Sequence, residues 1–139
     1  MIVYGHGLRD WLEAKLGDKL ASDAQFLGRL VNDKPVAAIA FQNWTGEDVE
    51  IAVGAEPGSA TVGLVECVFA YVFRQLGCSR CTIKIRDDNA ASLKLAKRLG
   101  FTKEGVMRKA KAGHDLVVLG LLKGESRYDR FGTNTPNTN

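Results

Sequence analysis

The sequence lacks the features of membrane and secreted proteins. It has 139 residues, with 3 prolines and 3 cysteines, and no uncharged apolar run approaches the ~20 residues that span a bilayer. Its first residues do not combine a basic region with an apolar one, so we expect neither a secretory signal nor membrane association. The odd cysteine count, Cys67, Cys78 and Cys81, then indicates reduced thiols in a cytoplasm.

A large excess of one charge is also missing. Lysine and arginine total 19 against 16 acidic residues, which gives a net charge of +3. This excess is small, and aromatic residues do not alternate with basic ones, so a nucleic-acid partner is not expected. The length and the loss of periodicity near the end predict one domain over residues 1–126, followed by a flexible tail at 127–139.

Cys78 and Cys81 form a CxxC motif, which raises a redox or metal site as alternatives. A redox thiol needs a low pKa, usually from a following helix start, but this motif leads into a predicted strand. A zinc site needs about four ligands, and the remaining soft candidates, Cys67, His6 and His114, have no finger-like spacing. We therefore favour structural thiols and expect no metal.

Hydrophobic periodicity predicts nine elements in the order α-β-β-β-α-β-α-β-β. The predicted helices cover 8–16, 62–76 and 89–99, and the predicted strands cover 26–30, 36–41, 48–53, 81–86, 101–109 and 116–122. The strand-helix-strand unit at 48–86 predicts a right-handed parallel crossover. The fold class is therefore α/β or α+β in three layers, with a mixed, mostly antiparallel central sheet and helices on both faces.

Two helix starts are candidates for binding. The first follows a strand at Gly58–Thr61, where free amides and the helix dipole favour an anion such as phosphate. A strand-turn-helix with one glycine is more often a plain connection, so both interpretations stay open. The second lies at Asp88 or Asn89, either of which can cap the third helix.

Three motifs at and after this third helix resemble the GNAT superfamily of N-acetyltransferases. The similar branch acetylates ribosomal proteins and N-terminal amines, and its signature is N-x-x-S followed by K-x-G-F and E-G-x-x-R. The matching residues are Asn89-Ala90-Ala91-Ser92, Leu99-Gly100-Phe101 and Glu104-Gly105-Val106-Met107-Arg108. The chain also resembles small acetyltransferases of phages and prophages, which extends the expected location to a host cytoplasm.

The resemblance implies a GNAT fold and acetyl-CoA as co-substrate. The strand at 49–54 would splay from the strand at 82–86, so that the pantetheine arm pairs like an added strand. The pyrophosphate would lie on amides from about Gly58 to Gly63. The implied cofactor-binding residues are Ile51, Ala52, Val53, Gly58, Ser59, Ala60, Thr61, Val62, Gly63, Asn89, Ser92 and Lys97.

The same resemblance implies a direct attack of a primary amine on the thioester. Glu50 would act as the base and Ser92 would stand near the leaving thiolate, although each also fits an ordinary solvated or helix-start residue. Asn89 fits a helix cap, and Lys94, Lys97 and Arg98 fit either the CoA 3′-phosphate or a solvated face.

Two departures from the family pattern weaken this interpretation. The acyl-CoA loop carries Ala55 in place of a basic or amide residue, with Glu56 beside it, and Ala96 stands where many members have a tyrosine. The alternative is therefore a non-catalytic acyl-CoA-binding or phage structural domain with the same fold. For an enzyme, we expect a protein or peptide amine as acceptor, and a homodimer is open.

Overall fold

The computed structural model describes residues 1–129, which form one seven-stranded sheet with three α-helices. The spatial order of the strands is β1-β2-β3-β4-β5-β7-β6. The elements are β1 (Ile2–Tyr4), α1 (Arg9–Leu16), β2 (Gln25–Val31), β3 (Lys34–Gln42), β4 (Glu50–Ala55), α2 (Val62–Phe69), β5 (Arg80–Arg86), α3 (Ala90–Leu99), β6 (Thr102–Lys111) and β7 (His114–Leu122).

All nine predicted elements are present, and the structure adds β1, which pairs with β2. Three residues are too few to show a periodic pattern, so no signal in the sequence indicates this strand. Gly17 and Gly100 end α1 and α3 in left-handed conformations, with φ of 68° and 106°. The second helix departs from expectation after Phe69, because residues Ala70–Gln75 form a π-helical segment.

The sheet separates two apolar clusters, which confirms the prediction of helices on both faces. On one face α1 contributes Leu12, which packs with Phe26 of β2 and with Ala38 and Ala40 of β3. The opposite face is covered by α2 and α3 over a larger cluster. Small residues on this face of the sheet allow α1 to pack close to it, since a Cβ at Gly54 would lie 2.8 Å from Leu12 Cδ1.

The pairing between β4 and β5 positions the site. Every other neighbouring pair in the sheet is antiparallel, whereas β4 and β5 run parallel as predicted. Their register joins Glu50 to Thr82 and Ile51 to Ile83 and ends there. From Ala52 onward β4 therefore diverges from β5, although β5 continues to Arg86 against β7.

The packed chain extends slightly beyond the expected domain boundary at residue 126. Asp129 is 2% exposed, and its Oδ2 accepts a hydrogen bond from the Gly124 amide at 2.9 Å. Tyr128 packs against the larger apolar cluster. The rest of the expected tail, 130–139, lies outside the described residues. No helix within 1–129 has the length and apolar character required to cross a bilayer.

We expect Leu12→Ala to lower the free energy of unfolding by about 3 kcal/mol, since it leaves a cavity between α1 and the sheet. Leu12 is fully buried. Denaturant unfolding measures this change, and Asp10→Asn on the exposed side of the same helix is the control, with a change within about 0.5 kcal/mol. Equal effects of the two variants would contradict the packing described for α1.

Candidate functional site

A cleft of about 780 Å³ opens where β4 and β5 diverge. Its walls come from both strands, from the end of α1, and from α2 and α3. Seven residues predicted from the sequence line it, namely Glu50, Ile51, Ala52, Val53, Ala60, Asn89 and Ser92. The facing edges of the diverging strands make no pairing with each other, so an extended ligand can form backbone hydrogen bonds there.

The start of α2 borders the cleft. Ala60 lines the cleft, whereas Gly58, Ser59, Thr61, Val62 and Gly63 are outside its lining. The Ser59 amide donates to Glu56 O at 3.0 Å, and the Thr61 amide donates to Ser59 O at 3.0 Å. Two of the amides that were expected to hold an anion are therefore already engaged within the loop.

The other amides of this helix start are available. Thr61 Oγ1 caps the helix by accepting from the Leu64 amide at 3.3 Å. Within residues 1–129, the amides of Gly58, Ala60, Val62 and Gly63 donate to no protein acceptor. Free amides at the positive end of a helix dipole favour a bound anion.

Glu56, whose charge weakened the expectation of a phosphate site, forms an ion pair. Its Oε1 lies 2.9 Å from the Lys15 Nζ of α1. Because both side chains are partly exposed, the pair contributes little to stability. It nevertheless compensates the negative charge beside the helix start, an effect that the sequence could not show across 41 positions.

Glu50 faces the cleft from the α1 side of β4, as its alternation with Ile51 predicts. Its side chain is 18% exposed. Glu50 Oε1 lies 3.2 Å from Lys84 Nζ and accepts a hydrogen bond from Asn43 Nδ2 at 3.2 Å. Oε2 has no protein partner among the described residues, so Lys84 and Asn43 hold one carboxylate oxygen and the other is left to accept a proton or a hydrogen bond.

Lys84 was not among the predicted site residues. It lines the cleft on β5, on the same side as Thr82 and Arg86. Its alternation with Ile83 and Ile85 was visible in the sequence and placed it on the polar face of a strand. Its proximity to Glu50 depends on the parallel register of β4 with β5, which no sequence signal specifies.

The start of α3 supplies Asn89 and Ser92. Asn89 caps the helix, because its Oδ1 accepts a hydrogen bond from the Ser92 amide at 3.1 Å. Ala96, at the position of the family tyrosine, is 3% exposed and packs in the core. Lys94, Lys97 and Arg98 are exposed on the outer side of α3 and outside the cleft lining.

Solved structures resemble this chain, although no family model and no curated protein sequence matches it. A protein from T. thermophilus that is named as an acetyltransferase is 25% identical over 85% of this chain and 67% of its own, with a TM-score of 0.67. Campylobacter jejuni N-acetyltransferase PseH in complex with acetyl coenzyme A is 22% identical over 74% and 70%, with a TM-score of 0.58. The F149A mutant of Vibrio cholerae spermidine N-acetyltransferase SpeG is 11% identical over 94% and 98%, with a TM-score of 0.72.

The chain has the GNAT acetyltransferase fold. This confirms the fold that the motifs around Asn89 and Gly100 predicted. The diverging strands and the α2 start are thus parts of a fold shared with proteins named as acetyltransferases.

A further charged pair lies in the cleft lining, where β5 leads into α3 of the GNAT fold. Arg86 donates two hydrogen bonds to the carboxylate of Asp88, both at 2.6 Å. This contact lowers the pKa of Asp88 to about 2. His114 lies beside the pair, with its Nδ1 3.0 Å from Asp87 Oδ1 and its Nε2 3.6 Å from Asp88 Oδ2.

The CxxC cysteines lie away from this cleft. Cys78 and Cys81 are both buried. Burial raises the pKa of both thiols, whereas a reactive thiolate requires a lowered pKa. Their environment fits the interpretation as structural thiols.

We expect Arg86→Gln to raise the pKa of Asp88 from about 2 toward its usual 3.8, because the guanidinium that favours the charged form is removed. In the unmodified protein the Arg86–Asp88 ion pair is fully present above pH 3.8, the usual pKa of the carboxyl. It is lost as the pH falls through about 2, because Asp88 then becomes protonated. An NMR titration of the Asp88 side-chain carboxyl measures this pKa in the unmodified protein and in the Arg86→Gln variant. Lys84→Gln is the matched control and leaves this pKa unchanged.

Proposed function

We propose that this protein is an acetyl-CoA-dependent N-acetyltransferase that transfers the acetyl group to a primary amine. The observation that carries the proposal is the end of β4–β5 pairing after Ile51 and Ile83, directly beside the start of α2. This arrangement offers one strand edge and one anion-binding helix start to the same ligand. Acetyl-CoA combines an amide-bearing arm with a pyrophosphate in that order.

The acyl donor would extend from the α2 start into the cleft. The amides of Gly58, Ala60, Val62 and Gly63 would bind the pyrophosphate, and the free edge at Ala52 and Val53 would pair with the pantetheine amides. Lys94, Lys97 and Arg98 would attract the 3′-phosphate from the exposed side of α3. These assignments keep the predicted binding residues. The amides of Ser59 and Thr61 would not bind the pyrophosphate, because they donate to carbonyl oxygens within the loop.

The reaction would follow from the position of Glu50, which lines the cleft on the same strand as the proposed pantetheine edge. The amine nitrogen attacks the thioester carbonyl carbon, so that a C–N bond forms and the C–S bond breaks. Glu50 Oε2 would accept the proton that the amine releases, directly or through water. A backbone amide of β4 would donate to the carbonyl oxygen, and Ser92 would position the proton that returns to the thiolate of CoA.

The acceptor is proposed as a primary amine on a protein or peptide. The similar Vibrio cholerae protein is named for spermidine, so polyamines belong in the same acceptor screen. Position 96 holds an alanine, so no tyrosine hydroxyl is available there, and this favours a non-catalytic acyl-CoA-binding domain as the second candidate. Binding of acetyl-CoA without turnover of any acceptor would support that candidate.

We expect Gly63→Asp to weaken acetyl-CoA binding at least about ten-fold, because a carboxylate beside the free amides repels an anion. A Cβ at Gly63 meets nothing within 4 Å, and an acidic residue in the first turn stabilises a helix, so folding is retained. Isothermal titration calorimetry measures the affinity and thermal unfolding checks the fold. Gly63→Ala is the control, and equal affinities of the two variants would contradict the anion site.

We expect Glu50→Gln to lower kcat about 100-fold, because the amide cannot accept the proton of the attacking amine. Ser92→Ala should lower kcat about ten-fold, the usual scale of one lost hydrogen bond. A thiol-release assay measures both, with calorimetry showing that acetyl-CoA still binds.

Glu47→Gln is the matched control for the Glu50 variant, because Glu47 is exposed in the loop before β4 and outside the cleft. Its kcat should equal that of the unmodified protein. Unchanged kcat in both Glu50→Gln and Ser92→Ala would remove these two residues from the mechanism while leaving the proposed donor site in place.

A further inference from the structure

The end of the β6–β7 hairpin is bent by an irregularity in its pairing. Met107 pairs with Leu116 and Lys111 pairs with His114, so three residues of β6 oppose one residue of β7. Lys109 within this bulge has a φ of 51°, and its amide donates to Asp115 Oδ1 at 2.8 Å. Bulges of this kind bend a strand and redirect its side chains.

Lys111, the first residue after the bulge, reaches across the molecule to α1. Its Nζ donates to the carbonyl oxygen of Leu16 at 3.3 Å and lies 3.5 Å from Asp18 Oδ2. The Lys111 side chain is 27% exposed although its residue lies at a hairpin tip. The last carbonyls of a helix lack partners within the helix and attract a cation, which explains the geometry of this contact.

This contact joins two elements on either side of the cleft. Leu16, Asp18 and Lys111 all line it, as do Glu50 and Ala52 of β4. Leu16 and Ala52 also pack against the same apolar cluster on the α1 face. The contact therefore lies in the lining of the cleft that Glu50 also lines, on the α1 side of the sheet.

We propose that Lys111 is a specificity-determining residue that restricts the acceptor to slender primary amines. This rests on the proposed function. The bridge from Lys111 to Leu16 and Asp18 narrows the approach to Glu50, so bulky groups next to the amine are held out.

The kinetic experiment compares a slender acceptor, n-butylamine, with a bulky one, adamantylmethylamine. In Lys111→Ala we expect KM for the bulky amine to fall about five-fold, the scale of one partly exposed charged contact, while kcat and KM for butylamine change little. Lys111→Arg should restore the restriction because it keeps the bridging cation. Lys103→Ala, on the same strand but exposed and outside the cleft, should behave as the unmodified protein.

A labelling experiment tests the bridge without any turnover. The Ala52→Cys substitution is made in a Cys67→Ser background. Cys78 and Cys81 are buried, so the new cysteine is the accessible one among the described residues. The measured quantity is the ratio of the labelling rate with a bulky dye-maleimide to the labelling rate with N-ethylmaleimide. Lys111→Ala should raise this ratio about five-fold. An unchanged ratio would overturn the role of Lys111 whether or not the protein is an enzyme. Faster bulky labelling, together with no acetyl transfer by the unmodified protein, would support the bridge and defeat the proposed function alone.

Discussion

The site depends on the early end of hydrogen-bonded pairing between two parallel strands. Pairing satisfies backbone groups at each ladder step, so strands that diverge inside a sheet leave donors and acceptors to be met by water or by a ligand. Here β4 and β5 separate after Ile51 and Ile83. The outer strands remain paired on both sides of the gap. The cleft is therefore built into the sheet itself, with paired strands on both of its sides.

Ion pairs around this gap tie together elements that are distant in sequence. Lys84 fixes one oxygen of Glu50, Lys15 compensates Glu56, and Lys111 bridges the hairpin to α1. Contacts between partly exposed charges contribute little to global stability. Their effect in this protein is local, since each one orients a group at the wall or the mouth of the cleft. The same partial exposure leaves them able to exchange partners with a charged ligand.

Much of the candidate site was predictable because its residues lie on elements with clear local signals. The alternation of Glu50 with Ile51 placed the carboxylate away from the core, and Asn89 before an amphipathic helix indicated the cap that the structure shows. The π-helical segment after Phe69 and the short β1 strand had no such signal. Lys84 and Lys111 were missed as site residues because their partners are set by strand register and by a bulge.

The sequence by itself determined the order of the nine longer elements, the ends of α1 and α3, and the motifs of a GNAT fold. These features follow from periodicity, capping and glycine conformation, which act over a few neighbouring residues. Only the tertiary structure decided where β4 leaves β5, which amides at the α2 start stay free, and which cation meets each carboxylate. Those outcomes arise between segments far apart in the chain, where small shifts in register or curvature move a side chain by several ångströms and no local pattern records the result.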